Sequence, residues 1–370
     1  MRNIAFINEN TLGHTSYLPR FVAAFREHPE WGCLPFQIDA TPLPPELRHA
    51  ERGIRGLHRL GLDGLITRWR RATSEHASAQ LIRLRKEHRI DAVVVNTQSV
   101  GLALPVQAPD LRCLVAMDAT FEQLARSPWF GPTRIARWLQ PITLARLRAA
   151  ERRLFRHASL LLPWSQRAAD SLIREYGENS DRIQVLPPSM TDPGIPAPRS
   201  STGKPILLFV GGDFRRKGGV ELLEAWRSGL RTEVDLHLVT RDPVEPEPGL
   251  FVHAGVEAGS EAWFGLWRTA DLFVFPSHLE TFGIVLLEAM AFGVPIISAR
   301  TGAADEILEQ GRCGVLLDST TPAVITAAVR GLIHDPGKRR FLSENGRRAF
   351  LERFEIQRTA HQLAQLLTAD

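Results

Sequence analysis

From its first residues onward the chain alternates short runs dense in β-branched and aromatic side chains with longer stretches of helical spacing, and this pattern admits few folds. Short strands separated by helices build parallel sheets covered on both faces. In the first half, strands are expected at residues 3–7, 91–96, 113–117, 159–163 and 182–186. A stretch rich in proline and small residues follows, from Pro187-Pro188 through Pro193, Pro196 and Pro198 to Ser200-Ser201-Thr202-Gly203, and reads as a linker. The alternation then restarts, with strands expected at 206–210, 235–239, 272–275 and 295–298. A chain of 370 residues is too long for one ordinary core and suits two domains of similar size. No repeat at a solenoid period is present.

Within the second half, Glu280 and Glu288 bracket an apolar segment that should not hold a carboxylate without a reason. Residues 284–292, Ile-Val-Leu-Leu-Glu-Ala-Met-Ala-Phe, read as a helix hydrophobic nearly all round, started after Gly283 and stopped by Gly293 with Pro295 beyond. Such a helix is expected to be buried. An ionised Glu288 in its middle would then cost several kcal/mol, roughly, unless a polar group meets it. An internal arginine or a backbone amide could be that group; so could a ligand. The surroundings favour the ligand. Residues 270–277 read as a strand and a loop, which puts Glu280 and Gly283 at the carboxyl end of a strand, where parallel sheets bind ligands. Backbone N–H groups of Gly283, Ile284 and Val285 would favour an anion there.

The run Pro276-Ser277-x-x-Glu280-x-Phe282-Gly283-Ile284-x4-Glu288-Ala289-Met290-Ala291-x-Gly293-Val294-Pro295 resembles the E-x7-E signature of glycosyltransferase family 4. These are retaining GT-B enzymes that use nucleotide-sugar donors. The resemblance implies two Rossmann-like domains with parallel sheets facing a central cleft, and a C-terminal helix crossing back to the first domain. It implies an acceptor-side domain at 1–195, a donor-binding domain at 196–345 and the crossing helix at 346–370. Glu280 would contact the donor sugar or its phosphates, and Glu288 the ribose hydroxyls, with Phe282, Gly283, Ile284 and Val285 beside the donor. It covers residues 150–365 well, from Glu151-Arg152-Arg153 through Ser165 onward.

A second constellation opens this half: Phe209-Val210-Gly211-Gly212-Asp213-Phe214-Arg215-Arg216-Lys217-Gly218-Gly219, a strand, a glycine-flanked loop and a helix start. A basic tripeptide between glycines is commonly a solvated turn. Here only four residues are lysine, among 45 lysines and arginines together, so a lysine in this loop is unusual. The loop resembles the family's Arg…Lys-Gly element, whose cations neutralise the donor diphosphate as the glycosyl bond breaks, an electrostatic stabilisation of the leaving group. The resemblance assigns this to Lys217 and to Arg216 rather than Arg215, with Gly211 and Gly212 lining the donor.

Thr301-Gly302-Ala303-Ala304-Asp305-Glu306 could be an ordinary turn with acidic residues in a first helical turn. The family often has a glycine-rich loop ending in Glu here, which makes Gly302 and Glu306 further candidates. In the first domain, Asn8-Glu9-Asn10-Thr11-Leu12-Gly13-His14 follows the first strand where relatives carry a glycine pair facing the donor phosphate. Only Gly13 is present, and His14 is either near the acceptor or a solvated loop residue. Where the family often has His-Asp, this chain has Met117-Asp118-Ala119-Thr120, leaving Asp118, and beside it Thr120, as the polar residues on the acceptor or donor side.

Hydrophobic residues at 44% and charged residues at 23% describe a globular chain. Cys33, Cys113 and Cys313 are too few and too far apart for a disulfide framework or a zinc spacing. No signal-like or membrane-spanning apolar run is present, so a cytoplasmic protein is expected. No Asp-x-Asp triplet occurs, and neither a metal nor another cofactor is expected. Glu46 to Asp91 carries eleven basic residues against six acidic ones, interleaved with Leu57, Leu60, Leu62, Leu65, Ile66 and Trp69. That region is either a solvated helical face or a peripheral contact with the inner, anionic membrane surface; no nucleic-acid motif accompanies the charge. The expectation is a metal-independent, retaining glycosyltransferase moving a sugar from a UDP-, GDP- or related donor to an envelope glycan or lipid-linked acceptor. The alternatives are a catalytically silent GT-B scaffold that binds a glycan or partner enzyme, or a sugar-nucleotide epimerase on the same fold.

Overall fold

The computed structural model describes residues 1–9, 14–52, 65–126, 138, 142, 144–194 and 203–369. The polypeptide forms two compact units, Met1–Pro188 with Ile356–Asp370, and Ser189–Glu355. The contacts therefore change unit at 188/189 and 355/356, beside expected divisions at 195/196 and 345/346, and helix Pro336–Arg353 belongs to the second unit.

In the first unit five parallel strands run in the order β2-β1-β3-β4-β5, with β1 at Arg2–Asn8, β2 at Cys33–Asp39, β3 at Ala92–Asn96, β4 at Arg112–Met117 and β5 at Leu160–Pro163. The central strand β3, Ala-Val-Val-Val-Asn, is buried along its whole length, as expected where helices cover both faces of a parallel sheet. Ile7, Val95, Val115, Leu154 and Phe155 belong to one core cluster. Helix Ile356–Thr368 closes this unit: Ile356, Leu363 and Leu367 are buried, and the Arg112 guanidinium donates to the Leu366 and Ala369 carbonyls at 2.9 and 3.0 Å.

The second unit has six parallel strands in the order β11-β10-β9-β6-β7-β8: β6 Ile206–Val210, β7 Asp235–Val239, β8 Leu250–Val252, β9 Leu272–Phe275, β10 Ile296–Ala299 and β11 Gly314–Leu317. Leu207, Phe209, Trp226, Leu236 and Val274 share its core. Three of these eleven strands, β2, β8 and β11, lie at sheet edges and were not expected from the sequence.

One expected strand is corrected. Residues 182–186 do not form a strand: Ser180–Arg182 is a 3-10 turn, and only Ile183 bridges β5, at Leu161. Gln184 and Leu186 donate backbone hydrogen bonds to Leu161 and Pro163 before Pro187-Pro188, which lack N–H groups, end the pairing. The three cysteines are buried free thiols.

Candidate functional site

The β6 and β9 strands are neighbours and parallel, so the loops leaving their carboxyl ends meet. The loop after β6 carries Lys217 and the loop after β9 carries Glu280. Their side chains form an ion pair with exposures of only 15% and 13%. Lys217 Nζ also lies 5.0 Å from the centre of the Phe275 ring, whose π face favours the cation. The other Glu280 oxygen accepts the Thr281 N–H at 3.2 Å. A half-buried pair of this kind costs desolvation, which its Coulomb attraction offsets only with good geometry. Placing it at a strand end yields a fixed cation beside a fixed carboxylate.

Gly218 makes the loop contact possible. It sits at φ +76°, and a Cβ there would lie 2.0 Å from the Pro276 carbonyl oxygen, so only glycine lets the two backbones come this close. Gly302 plays the same part on the other side: at φ +60°, its Cβ would lie 2.9 Å from the Glu280 and Thr281 carbonyl oxygens. The structure thus gives Gly302 a packing role against the Glu280 loop. Arg216 bridges the loops: Nε meets Asp213 Oδ2 at 3.0 Å and Nη1 donates to the Leu279 carbonyl at 3.1 Å. Burial pushes the Asp213 carboxyl up, but Arg216 N–H groups and the neighbouring cations outweigh it and hold it below its ordinary value. Arg215 is exposed.

Helix Ile284–Ala291 begins after Gly283 at its N-cap. It differs from the expected fully buried helix. Ile284, Val285 and Glu288 fall on one half-buried stripe, while Leu286, Leu287, Ala289, Met290 and Ala291 are buried. The stripe follows from 3.6-residue periodicity, which brings positions 284, 285 and 288 to one side. Glu288 therefore does not bear the cost of full burial. Phe282, by contrast, is 2% exposed and packs inward. Glu306 is half-buried, and its carbonyl accepts from Arg353 at 3.2 Å. Gly211 abuts the Lys217 side chain, and a Cβ on Gly212 would lie 2.9 Å from the Arg241 guanidinium. Arg241 and Asp242, at the end of β7, escaped sequence reasoning. Asp242 Oδ2 accepts the Phe214 N–H at 2.6 Å and so fixes the basic loop. A short acidic-basic pair after an unremarkable strand gives no sequence signal of that kind.

In the first unit, Gly13 lies outside the described residues, and His14 is described only as the first residue of helix His14–Glu27. Asp118, at the end of β4, is half-buried, and its Oδ1 accepts the Ala119 N–H at 2.8 Å. Thr120 is fully buried as the N-cap of helix Phe121–Ala125, forming a capping box with Gln123 and a 2.7 Å hydrogen bond with Ser171. Residues 53–64 of the basic region lie outside the described ones. Helix Leu65–Glu87 corrects part of that picture. Trp69 packs against the cluster of Leu43, Ala50 and Ala72, and Arg70 lies over the Phe121 ring, so neither faces outward. Arg71 and Arg85 are paired with Glu75 and Asp110. Among the described residues, no helix is long and apolar enough to cross a membrane, and no group of three His, Cys, Asp or Glu could hold a metal ion.

Residues 263–349, which include Glu280 and Glu288 but not Lys217, match the family described as glycosyl transferases group 1. The MMP alpha-(1->4)-mannosyltransferase of Mycolicibacterium hassiacum is 27% identical over 252 residues, 65% of this chain and 60% of that protein. A D-inositol 3-phosphate glycosyltransferase of Arthrobacter sp. is 30% identical over 236 residues, 57% of this chain and 55% of that one. The matched region thus spans 55% to 60% of the length of these two relatives. Among solved structures, sucrose-phosphate synthase from Thermosynechococcus elongatus has a TM-score of 0.73 at 17% identity, covering 99% of this chain and 98% of that one. The fold is that of the GT-B glycosyltransferases. Anabaena HepE, solved in complex with UDP and glucose, has a TM-score of 0.66 at 17% identity and full coverage of both chains.

Proposed function

We propose that the chain is a retaining glycosyltransferase of the family 4 type, taking a sugar from a UDP-, GDP- or related nucleotide donor bound by the second unit. The observation that carries this reading is the Lys217–Glu280 pair at the carboxyl ends of β6 and β9, beside the start of helix Ile284–Ala291. Such a place binds anions: helix N–H groups and a fixed ammonium can both receive a diphosphate. Lys217 takes the charge that grows on the leaving diphosphate, Glu280 holds the transferred sugar beside it, and Glu288 on the half-buried stripe receives the ribose hydroxyls. The cations and the helix terminus neutralise the leaving group in this scheme, so the transfer needs no metal. The relative named as a mannosyltransferase and the UDP-bound HepE structure support a nucleotide-sugar donor. The acceptor is an envelope glycan or lipid-linked saccharide, met by a cytoplasmic enzyme docked peripherally on the membrane.

The deciding measurement is thermal stability with UDP-, GDP-, ADP- and dTDP-sugars, because a ligand of the native state raises its melting temperature by mass action. One donor should stabilise the wild type, and this shift should shrink in Lys217→Ala. No shift with any of the four classes would refute the reading.

A further inference from the structure

Strand β7, Asp-Leu-His-Leu-Val, alternates: Leu236 and Leu238 enter the core of the second unit, which turns Asp235 and His237 to the opposite face. The edge strand β8 lies beside it, with Phe251 in register with His237. His253 follows Phe251 by two residues and so stands on the same face, while its N–H donates to the Leu238 carbonyl at 2.8 Å. The two imidazoles meet there. His237 Nδ1 and His253 Nε2 are 3.0 Å apart, the ring centres are 5.0 Å apart, and the planes differ by 30°. Centres so much farther apart than the nitrogens mean that the rings meet nitrogen-first and not face on. The Phe251 ring, 4.7 Å from that of His237, packs beside it. Both imidazoles are half-buried, so an ion from solution can reach them. Among the described residues neither has a carboxylate within ion-pair distance, in contrast to His28 beside Glu30 and His278 beside Glu221. Burial, and for His237 the neighbouring His253, disfavours the charged form of each ring and brings His237 down to about 4. Neutral imidazole is the form that binds metals. A metal bonded to two such nitrogens at about 2.0–2.1 Å holds them roughly 2.9–3.4 Å apart for bond angles of about 90–110°. The observed separation falls inside that range.

We propose that His237 and His253 form a two-imidazole site for a divalent late first-row metal, Cu²⁺ or Zn²⁺, which clips the edge strand β8 to β7. On loading, the ring that donates the shared hydrogen bond moves its proton to its other nitrogen. Both facing nitrogens then present lone pairs, and neither ring changes charge. Among the described residues no group of three His, Cys, Asp or Glu could hold the ion, so water fills its other positions and it stays exchangeable. Asp235, whose charge acts on His237, adds negative potential beside it. Mg²⁺ and Ca²⁺, which take oxygen ligands, gain nothing from two imidazoles. The site shares no residue with the Lys217–Glu280 pair, and the proposed transfer does not depend on it.

The test is titration calorimetry of the tag-free full chain with copper, zinc and magnesium chlorides. It compares the wild type, His237→Gln, His253→Gln and, as control, His49→Gln at an exposed histidine elsewhere. Cu²⁺ and Zn²⁺ should bind the wild type and Mg²⁺ should not. Each variant of the pair should lose at least about tenfold in Cu²⁺ affinity, the scale on which even a disturbed outer shell weakens a metal site, while His49→Gln binds like the wild type. Pulsed EPR of the copper-loaded chain should count two imidazole ligands in the wild type and one in either pair variant. Hydrogen exchange of the His253 amide should slow with Zn²⁺ in the wild type and stay unchanged in His237→Gln. If circular dichroism shows His237→Gln to be unfolded, His253→Gln decides. Binding only at millimolar metal, equal binding of Mg²⁺, affinity unchanged in the pair variants, or a single imidazole in the wild type overturns the proposal, whether or not nucleotide sugars shift the melting temperature.

Discussion

Under the proposed transfer reaction, Lys217 and Glu288 are predicted to fail differently when replaced, because the diphosphate contact would strengthen as charge develops while the ribose contact would be present in ground and transition states alike. Lys217→Ala should lower kcat by roughly 10²-fold or more, the scale of losing an oxyanion-type donor. Glu288→Gln should mainly raise the donor KM. Glu280→Ala should damage both, and steady-state kinetics with donor varied distinguishes the three. Near-normal kcat and KM in folded Lys217→Ala and Glu280→Ala would move the site elsewhere. A second residue, Glu151, reports through pH. It is fully buried, accepting from the Phe121 N–H at 3.1 Å, from Gln98 and from the Tyr176 hydroxyl. Burial raises its pKa from 4.5 to about 7, against the pull of those hydrogen bonds and of Arg70. The unfolded chain therefore releases this proton first, so the group lowers stability as pH climbs from the unfolded value to the folded one. Glu151→Gln should gain stability relative to wild type between pH 5 and 8, on the order of 3 kcal/mol at about 1.4 per pKa unit. Urea melts at the two pH values check this, and a constant difference would contradict it. Lys217 stood out in the sequence as a rare lysine in a glycine-flanked loop, and Glu280 as a carboxylate before an apolar segment; the structure pairs the two. Arg70 did not stand out: among the many arginines of a basic stretch, nothing in the order of residues tells which one turns inward.

At the scale of elements, the loops after β6 and β9 depend on close backbone approach. Gly218→Ala should destabilise the second unit by at least ~2 kcal/mol, combining a left-handed conformation with a clash against the Pro276 carbonyl. Gly255→Ala is the control, since Gly255 has φ +76° too but nothing within 4 Å of a new Cβ, and should cost only about 1 kcal/mol. Equal losses in chemical denaturation would mean that the approach is not what requires glycine at 218. Most of the eight strands expected correctly carry continuous apolar runs, which parallel sheets bury on both faces, while β7, Asp-Leu-His-Leu-Val, shows alternation instead. The edges were harder to read. Strand β2 contains Pro35 and pairs only with β1, as a proline-bearing strand must. Strand β8 has three residues and β11 opens on glycine, too little pattern to stand out from a loop. The helix of 284–291 was read correctly in extent but not in exposure, because an apolar sequence cannot show where a neighbouring element stops covering it.

At the scale of the molecule, the first unit is completed by residues far along the chain. Removing Ile356–Asp370 strips buried Ile356, Leu363 and Leu367, each contributing roughly 1.5–3 kcal/mol. Their sum rivals the whole stability of an ordinary domain. Calorimetry of the chain ended at Glu355 should therefore show the first unit's transition lost and the second's retained. Two transitions near their original temperatures would show that the first unit stands without the helix. Two-domain organisation was legible from the restart of the strand-helix alternation after the prolines. The place where the chain crosses between units was not, since it depends on contacts: Met190 bridges Glu355, and its N–H donates to the Phe354 carbonyl at 3.1 Å, bringing entry and exit side by side. The ribosome makes a chain from its amino end, yet here the unit that begins first must finish last. The segment 189–355 has all its partners while the earlier unit still lacks its closing helix, so during synthesis the older half of the molecule is the one that needs protection.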